Sequence, residues 1–340
     1  MAAPTISAPA GSPFIGSPIT HVVTSVSLEG EVAFHRLNLK ANVSMGGYGS
    51  NSFTFSAPIY NGGESVTFDV ASALRAIADQ FTYTANTTSF PTIAWNLEAW
   101  DEYMIDGEYF ETGHTTAGSW TAIMGACSDL ERIISGGGKS VSVFTRKPST
   151  LPEIVAVGET MVCPNSTSAQ SVGHATGQSC ELVNITSEGM QTIHGKKVYA
   201  LPAQTLDRYQ FRFVNTLGVV ESISLTSLRE MEINCTQDNY IKAVQETFGN
   251  PSRAIVVKQN DYESWKLTTP PLDEAWLSWY AHEFLMSKQC WVKISTYWIP
   301  CHIIPEDTVS GVKRTDGSFI SLAFTVQLDI NGSPMPELMI

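Results

Sequence analysis

Alternation of apolar and polar residues is the main pattern along this chain, and it predicts β-strands. From Ala33 to Val43, Leu37 and Leu39 alternate with Asn38, which is typical of a strand with one buried face. The same two-residue period runs from Ile320 to Ile330, where a long strand with one dry face is expected. Further strands are predicted at Ser52–Ile59, Ser65–Val70, Asn184–Leu201, Tyr209–Val214 and Glu221–Leu225.

A hairpin is predicted over Trp95–Phe110. Its turn falls at Asp106-Gly107, and an Asp-Gly pair between two strand-like runs is a strong short-range hairpin signal.

Two helices are expected to cover sheets. Asp69 is placed to cap a short helix over Val70–Ala78, with Leu74, Ile77 and Ala78 on one face. A second helix is predicted over Leu272–Met286, directly after Pro270-Pro271. Its buried stripe is Leu272, Trp276, Tyr280 and Phe284. This stripe is expected to pack on a sheet built partly from Trp291–Ile299 and Phe319–Ile330.

The fold class predicted from these elements is mainly β, with tandem β-sandwich or barrel-like domains and a few short covering helices. The predicted parts are an N-terminal arm (1–13), a β-sandwich domain with a short helix (14–85), a middle β domain (86–206) with a polar loop at 163–180, and a C-terminal β domain (207–340) with a helix at 271–287. The arm has no charged side chain and three prolines, so it is expected to be disordered alone and to clasp an adjacent copy in a closed ring, with a flexible tail that binds no neighbour as the alternative.

Composition limits the possible partners. The chain has 340 residues, of which 16% are charged, and a formal net charge of −13. Nucleic acids and anionic membranes need a basic surface, so neither is an expected partner. No run of about 20 apolar residues occurs, so membrane insertion is not expected. A low charge density indicates that part of the surface is covered by neighbouring proteins. The N-terminus has neither a basic segment nor an apolar core, so no signal peptide is predicted and synthesis in the cytoplasm is expected.

A GGGKS stretch at 136–140 resembles part of a phosphate-binding loop but fails its spacing. The position that needs the first glycine of that motif is Ile133. A helical turn from Ser128 to Ile134 precedes the glycines and a strand-like run follows, which is the reverse of the order in a phosphate-binding loop. The glycines are therefore interpreted as a helix end followed by a turn.

The cysteines and sequons give no site. Six cysteines lack any CxxC spacing and are expected to be free, buried thiols. They are Cys127, Cys163, Cys180, Cys235, Cys290 and Cys301. Cys301 and His302 are adjacent, so on a strand they would point to opposite faces. The Asn-x-Ser/Thr sequons are discounted because no signal peptide is predicted. They include Asn42, Asn86, Asn165, Asn184 and Asn234.

Three groups of residues could carry chemistry. An acidic cluster could hold calcium or supply paired carboxylates for glycoside hydrolysis, although a plain hairpin is the simpler interpretation. It comprises Asp101, Glu102, Asp106, Glu108 and Glu111. His282 is expected to be a core or interface histidine. Five of the eight tryptophans could form sugar-binding platforms, although tryptophans more often fill cores. They are Trp95, Trp100, Trp120, Trp265 and Trp298. The sequence predicts no enzyme, and no catalytic, metal-binding or cofactor-binding residue.

Five stretches together carry a resemblance to a known family. They are Phe14–Ile19, Val66–Arg75, Gly125–Arg132, Arg146–Glu153 and Phe211–Ser222. They resemble uncharacterised tail-associated virion proteins of tailed phages and prophages of Bacteroidetes, in order and over most of the chain. The resemblance implies a structural role in a tube-capping ring, baseplate or tail tip, and it carries over no catalytic residue.

The expected function is therefore that of a structural tail protein in the virion. Its expected partners are other copies of itself in a ring and neighbouring tail proteins, with a host-surface glycan as a further candidate. The alternatives are a carbohydrate-binding surface or adhesion module and a tail-bound glycan depolymerase.

Overall fold

The structure is a computed structural model that describes residues 2–28, 32, 34–128, 131, 140–141, 143–165, 168–203, 207–242, 253–305 and 321–329; for 140–141, 231–242 and 253–263 it describes the backbone alone. Strands dominate, so the mainly-β class predicted from the sequence is confirmed. The chain forms two compact units. Unit 1 is Met1–Thr145, Val162–Val183 and Val214–Glu221, and unit 2 is Arg146–Met161, Asn184–Phe213 and Ser222–Ile340.

This division differs from the three consecutive β domains predicted from the sequence. The predicted boundary at residue 85 separates strand β4 (Phe34–Met45) from strand β8 (Ile93–Ile105), yet the two pair along the whole of β4. Backbone pairing on this scale joins them in one sheet. Alternation within each strand could not reveal that partnership, because it reports a buried face and not a neighbour.

Unit 1 contains a five-stranded antiparallel sheet. In spatial order its strands are β10 (Thr115–Ala122), β8, β4 and β5 (Gly49–Pro58), with β9 (Glu108–Glu111) also paired to β8. The predicted hairpin is confirmed, because β8 and β9 meet at Asp106 and Gly107, which have φ angles of +52° and +82°. Positive φ at both central residues is the backbone that an Asp-Gly hairpin turn requires.

A four-stranded sheet in unit 1 incorporates the N-terminal arm. Its strands are β1 (Thr5–Ile6), β2 (Ala10–Gly11), β3 (Ile19–Thr24) and β6 (Ser65–Asp69). β1, β2 and β6 all pair antiparallel with β3. The arm thus has a sheet partner within its own chain, whereas the sequence had suggested an adjacent copy as that partner.

Helix α1 (Ala71–Ala78) packs on the core between these sheets. The Asp69 Oδ1 atom accepts hydrogen bonds from the backbone N–H groups of Ala71 and Ile19, both at 3.0 Å, so the predicted contact of Asp69 with the helix start is present. Leu74, Ile77 and Ala78 are buried as predicted. Their apolar partners in the core include Leu37, Leu39, Val43, Trp95 and Leu97 of β4 and β8.

The described residues also form three small sheets of two or three strands. They are β7 (Ser89–Phe90) with β13 (Thr160–Pro164) and β15 (Gln178–Asn184); β11 (Ser140–Val141) with β14 (Gln170–Ser171); and β12 (Glu153–Ala156) with β16 (Gly189–Ile193) and β17 (Lys196–Leu201). The segment 163–180, predicted as a polar loop, therefore contains β14. Gln170 is buried there and bonds both the N–H and the hydroxyl of Thr176.

Unit 2 is built around a seven-stranded sheet. Its order is β19 (Val220–Thr226), β18 (Arg208–Val214), β22 (Cys290–Ile294), β23 (Tyr297–Pro305), β24 (Ala323–Leu328), β21 (Arg253–Thr268) and β20 (Glu230–Lys242). The dry face predicted for the last strand is confirmed, because Phe324, Val326 and Leu328 are buried. The ends of that prediction, Ile320 and Ile330, lie outside the described residues.

Helix α2 (Glu274–Trp279) covers this sheet and is shorter than predicted. The Asp273 carboxylate accepts from the N–H of Trp276 at 2.9 Å and caps its start. A π-helical turn follows over Tyr280–Phe284, closed by the Leu285 N–H donating to the Tyr280 carbonyl. The predicted stripe is nevertheless buried and shares a core with Phe211, Val292, Phe324 and Val326. The prediction of a helix packed on the β22 and β24 strands is therefore confirmed.

Candidate functional site

The predicted acidic cluster does not converge on one point. Asp101 is fully buried, where its Oδ2 accepts from the Val26 N–H at 2.9 Å and its Oδ1 lies 3.0 Å from the His35 Nε2. Glu102 follows directly on the same strand, so it points to the opposite face. Asp106 lies in the hairpin turn, and Glu108 and Glu111 are exposed on β9.

Glu102 is committed to a local network. It accepts hydrogen bonds from Arg36, from the Trp100 Nε1 at 3.1 Å and from the Tyr109 hydroxyl at 2.9 Å. Partial burial raises the pKa of Glu102, but these donors outweigh it and lower the pKa to about 2. Glu102 is thus an ionised carboxylate that holds three neighbouring side chains in place on the surface of the sheet. Among the residues that the structure describes, no three His, Cys, Asp or Glu side chains are grouped to hold a metal ion.

The tryptophans divide between core and surface. Trp95 and Trp120 are buried in the core of unit 1, and Trp265 is buried in the core of unit 2. These three therefore fill cores, which is the more common role of tryptophan. Trp100 lies half-buried on the outer face of the five-stranded sheet, and Trp298 is half-buried with the Arg212 guanidinium 4.1 Å from its ring centre.

His282 is exposed, and its Nδ1 lies 2.8 Å from the Ser278 carbonyl one turn earlier. A core position for His282 is therefore wrong, while an interface position stays a prediction.

None of the described cysteines forms a disulfide, and all of them are buried as expected except Cys127, which is only half-buried. Cys290 and Cys301 lie directly opposite each other on β22 and β23, and both are buried. Burial, with a contribution from Cys301, raises the pKa of Cys290 well above its ordinary value. His302 is exposed while Cys301 is buried, so the two do point to opposite faces. The Cys235 side chain lies outside the described part.

The structure describes the start of the helical turn that precedes GGGKS. Ser128 and Glu131 bond each other's backbone N–H groups, which is the reciprocal capping box of a helix start. Residues 132–139 lie outside the described residues.

An exposed apolar row in unit 2 is the feature that stands out. Ile154 of β12 is the register partner of Tyr199 of β17, and Tyr199 is the register partner of Met190 of β16. The exposed fractions of the three residues are 44%, 43% and 62%. They lie side by side across a three-stranded sheet, so we call them the apolar row. The residues next to Ile154 and Tyr199 on their strands are buried or polar.

An apolar cleft adjoins the row at Ile154. Its volume is about 80 Å³, and Trp276 and Tyr280 form its buried wall. The rest of its lining is mostly proline and aliphatic, with Glu153 and Ser224 as its polar members; the apolar members are Leu151, Pro152, Ile154, Ile223, Pro270, Pro271 and Leu272. Leu151, Ile154 and Pro271 are exposed, so the cleft has an apolar rim at the surface. Row and cleft together form one continuous feature, because Ile154 belongs to both.

A buried ion pair holds the strand that carries Ile154. The Lys147 ammonium lies 2.8 Å from the Glu153 Oε2 and 2.8 Å from the Ser222 carbonyl, and both side chains are buried. The Lys147 Nζ also lies 5.2 Å from the ring centre of Trp279. Burial raises the pKa of Tyr280 well above its ordinary value, so its hydroxyl stays protonated. The charges of Lys147 and Glu153 cancel each other, and the Tyr280 hydroxyl is neutral. The cleft therefore suits the binding of an apolar group.

Comparison with known proteins gives no relative. No family model, no curated protein and no solved structure matches the chain. Within the described residues, no helix has both the length and the apolar character needed to cross a membrane.

Proposed function

We propose that this chain is a structural component of a phage tail and acts through protein–protein interfaces. The observation that carries the interface part is the apolar row with its adjoining cleft. The tail part is supported by the resemblance of the five stretches named above, of which Arg146–Glu153 leads directly into β12. Virion localisation, the ring arrangement and the absence of enzymatic activity belong to the same proposal.

The row and cleft suit a protein partner better than a soluble small molecule. Scattered single apolar residues on a surface are ordinary, whereas contiguous ones mark interaction sites. Ile154, Tyr199 and Met190 are contiguous through strand register, and the cleft offers a pocket of the size of one apolar side chain. An anchor residue inserted into a pocket, next to a flat apolar patch, is the usual arrangement of an interface hot spot.

The test is incorporation into particles. Tyr199→Glu places a charge at the centre of the row, while Tyr60→Glu places the same charge on an isolated tyrosine that is 82% exposed in unit 1. We expect Tyr199→Glu to abolish incorporation of the folded protein into purified particles, and Tyr60→Glu to leave it unchanged, as measured by immunoblot. Normal incorporation of Tyr199→Glu would exclude the row as an interface. Absence of the wild-type chain from particles would exclude the tail assignment.

A carbohydrate-binding role is the second candidate, and one surface favours it. On the outer face of the five-stranded sheet, Trp100 stacks on His114 with ring centres 5.1 Å apart and planes 5° apart. Glu98 lies beside them, 2.7 Å from the His114 Nδ1, and Lys40 lies 3.8 Å from Glu98. Aromatic faces next to polar groups can bind sugar rings. Binding on a glycan array that disappears with Trp100→Ala would favour this candidate over the assembly role.

A further inference from the structure

The two edges of the five-stranded sheet in unit 1 are treated differently. Along β10, other segments of the same chain cover the edge. The Thr115 hydroxyl donates to the Pro4 carbonyl at 2.6 Å, and the Thr121 N–H donates to the Gly173 carbonyl at 3.1 Å. The Ala175 N–H donates in turn to the Thr121 carbonyl at 3.4 Å. The outer side of β10 is therefore covered by other segments of the chain at Thr115 and Thr121.

Strand β5 forms the opposite edge and has no such cover. Among the residues that the structure describes, no segment pairs with the side of β5 that faces away from β4. The strand is ten residues long and pairs with β4 without a bulge. Its sequence, GSNSFTFSAP, has no charged residue. Natural edge strands are usually kept short, charged, bulged, covered or interrupted by proline, and β5 has only a proline, Pro58, at its very end.

The register identifies which backbone groups of β5 are available. The Ile59 N–H donates to the His35 carbonyl at 3.0 Å, in the same register that pairs Pro58 with Arg36. In an antiparallel ladder the bonded positions alternate, so the odd-numbered residues of β5 bond to β4. The backbone groups of the even-numbered residues point outward. These are Ser50, Ser52, Thr54 and Ser56, followed by Pro58, which has no N–H.

The core of unit 1 reaches β5, where its last apolar side chains remain partly exposed. Phe53 and Phe55 lie on the core side of β5 and pack against the buried cluster, but both remain only half-buried. On the other face, the Ser52 and Ser56 hydroxyls bond back to Asn42 and Asn38 of β4. A further strand beside β5 would therefore bury the exposed sides of Phe53 and Phe55. On the other face it would meet polar residues such as Ser52 and Ser56, so no charged side chain would have to move.

We propose that β5 pairs antiparallel with β5 of a second copy of this chain, about a two-fold axis at Phe53. In this register Ser52 of one copy lies opposite Thr54 of the other, and Ser50 lies opposite Ser56. All four outward-pointing residues then exchange backbone hydrogen bonds, and Pro58 lies beyond the ladder. The two Phe53 side chains meet at a non-hydrogen-bonded position, where cross-strand side chains are closest.

Three features favour a second copy over another partner. The strand is uncharged, so it can pair with itself without repulsion even though the chain carries a net charge of −13. A two-fold interface needs a surface that is complementary to itself, and the pattern of even-numbered hydroxyl residues and odd-numbered phenylalanines meets that need. The arm, which could have supplied a strand in trans, is already paired with β3 of its own chain.

The first experiment measures self-association of the full chain by sedimentation equilibrium over a concentration series. Ser52→Lys/Thr54→Lys would place lysines directly opposite each other in the proposed register. The control Thr116→Lys/Ser119→Lys adds the same two charges to exposed positions of the covered strand β10. We expect a wild-type dimer that the β5 variant weakens by about tenfold or more and the control does not. A monomer at every concentration, or equal effects of both variants, would overturn the proposal.

Hydrogen exchange of the wild-type protein is the second readout, and it does not depend on how a variant folds. The amides of Asn51, Phe53 and Phe55, which bond to β4, should be protected at every concentration. Those of Ser50, Ser52, Thr54 and Ser56 should gain protection only as the dimer forms. Fast exchange of these four amides in the associated protein would place the contact elsewhere and overturn the β5 pairing. The inference rests on the proposed assembly role. Both measurements are made on the purified protein in solution, so a negative result would exclude the β5 pairing without affecting the tail assignment.

Discussion

His21 lies in the core of unit 1, and its two ring nitrogens have different partners. The Nδ1 lies 3.0 Å from the Ser7 carbonyl, which can only accept, and the Nε2 lies 3.2 Å from the Trp95 Nε1, which can only donate. The neutral ring with its proton on Nδ1 satisfies both. Because Ser7 belongs to the N-terminal arm, this single side chain ties the arm to the centre of the sheet.

The first prediction concerns pH. Burial lowers the pKa of His21 below 6.5, although the bond to Ser7 opposes the shift. Between the lowered folded pKa and 6.5, the unfolded chain binds more protons than the folded one, so stability falls as the pH drops through that window. We expect urea midpoints at pH 7.5 and pH 5.5 to differ less in His21→Gln than in wild type. The exposed His282→Gln serves as the control and should keep the wild-type difference. An unchanged pH dependence in His21→Gln would show that folding does not shift the pKa of His21.

The buried pair of Lys147 and Glu153 gives the second prediction. Removing one partner leaves an uncompensated buried charge, so Lys147→Met should lower the free energy of unfolding by about 3–5 kcal/mol. Lys147→Met/Glu153→Gln removes both charges and should recover most of that loss. Urea unfolding of the two single variants and the double variant measures the coupling. If the double variant is as unstable as the sum of the singles, the two side chains do not interact.

At the scale of the element, helix α2 and the π-helical turn behave as the cover of a sheet. Trp276 is buried among Trp279 and Tyr280, and its Nε1 has no hydrogen-bond partner among the described residues. Trp276→Ala should therefore cost about 3–5 kcal/mol in the isolated protein, by loss of packing and formation of a cavity. Trp276→Phe should cost much less, because it also removes a buried donor that lacks a partner. A near-zero effect of Trp276→Ala in thermal or urea unfolding would place this side chain at an intermolecular surface.

The elements that the sequence predicted well are those with one face buried in a core. The alternation in β4 and at Phe324–Leu328 arises because one face of each strand is buried. The Asp106-Gly107 turn was predictable because this pair strongly favours a two-residue hairpin turn. The helix stripe was predicted but the helix length was not, because a 3.6-residue period reports burial and not the switch to π-type bonding at Tyr280. The long hairpin of β20 and β21 was missed, since segments such as Asn234–Asn239 have low strand propensity and no clean alternation.

The candidate site could not be predicted for a different reason. Ile154, Tyr199 and Met190 come from three strands, and each alone is an ordinary apolar strand residue. Only the parallel register of β12 with β17 and the antiparallel register of β16 with β17 place them side by side. The unprotected edge of β5 is likewise invisible until the order of strands is known.

At the scale of the whole molecule, the N-terminal arm decides between two modes of assembly. An arm that clasps a neighbouring copy contributes to the oligomer and little to the stability of a single chain. In this structure β1 and β2 instead pair with β3 of the same chain, the Ser7 carbonyl is bonded by His21, and the Pro4 carbonyl is bonded by Thr115. The same strands could be exchanged between copies by domain swapping only if these intramolecular bonds are first broken.

Deletion of residues 2–13 gives the fourth prediction. The deletion leaves His21 without its carbonyl partner, uncovers part of β10 and removes two strands from the four-stranded sheet, so unit 1 should lose stability in the monomer. We expect a lower melting temperature at every protein concentration, measured by circular dichroism, while the β5 self-association seen by sedimentation is retained. The loss should be larger than that caused by His21→Gln alone, because the backbone pairing of β3 is lost as well. A deletion variant that melts like wild type as a monomer but no longer associates would show that the arm acts between copies, which is the mode first expected from its sequence.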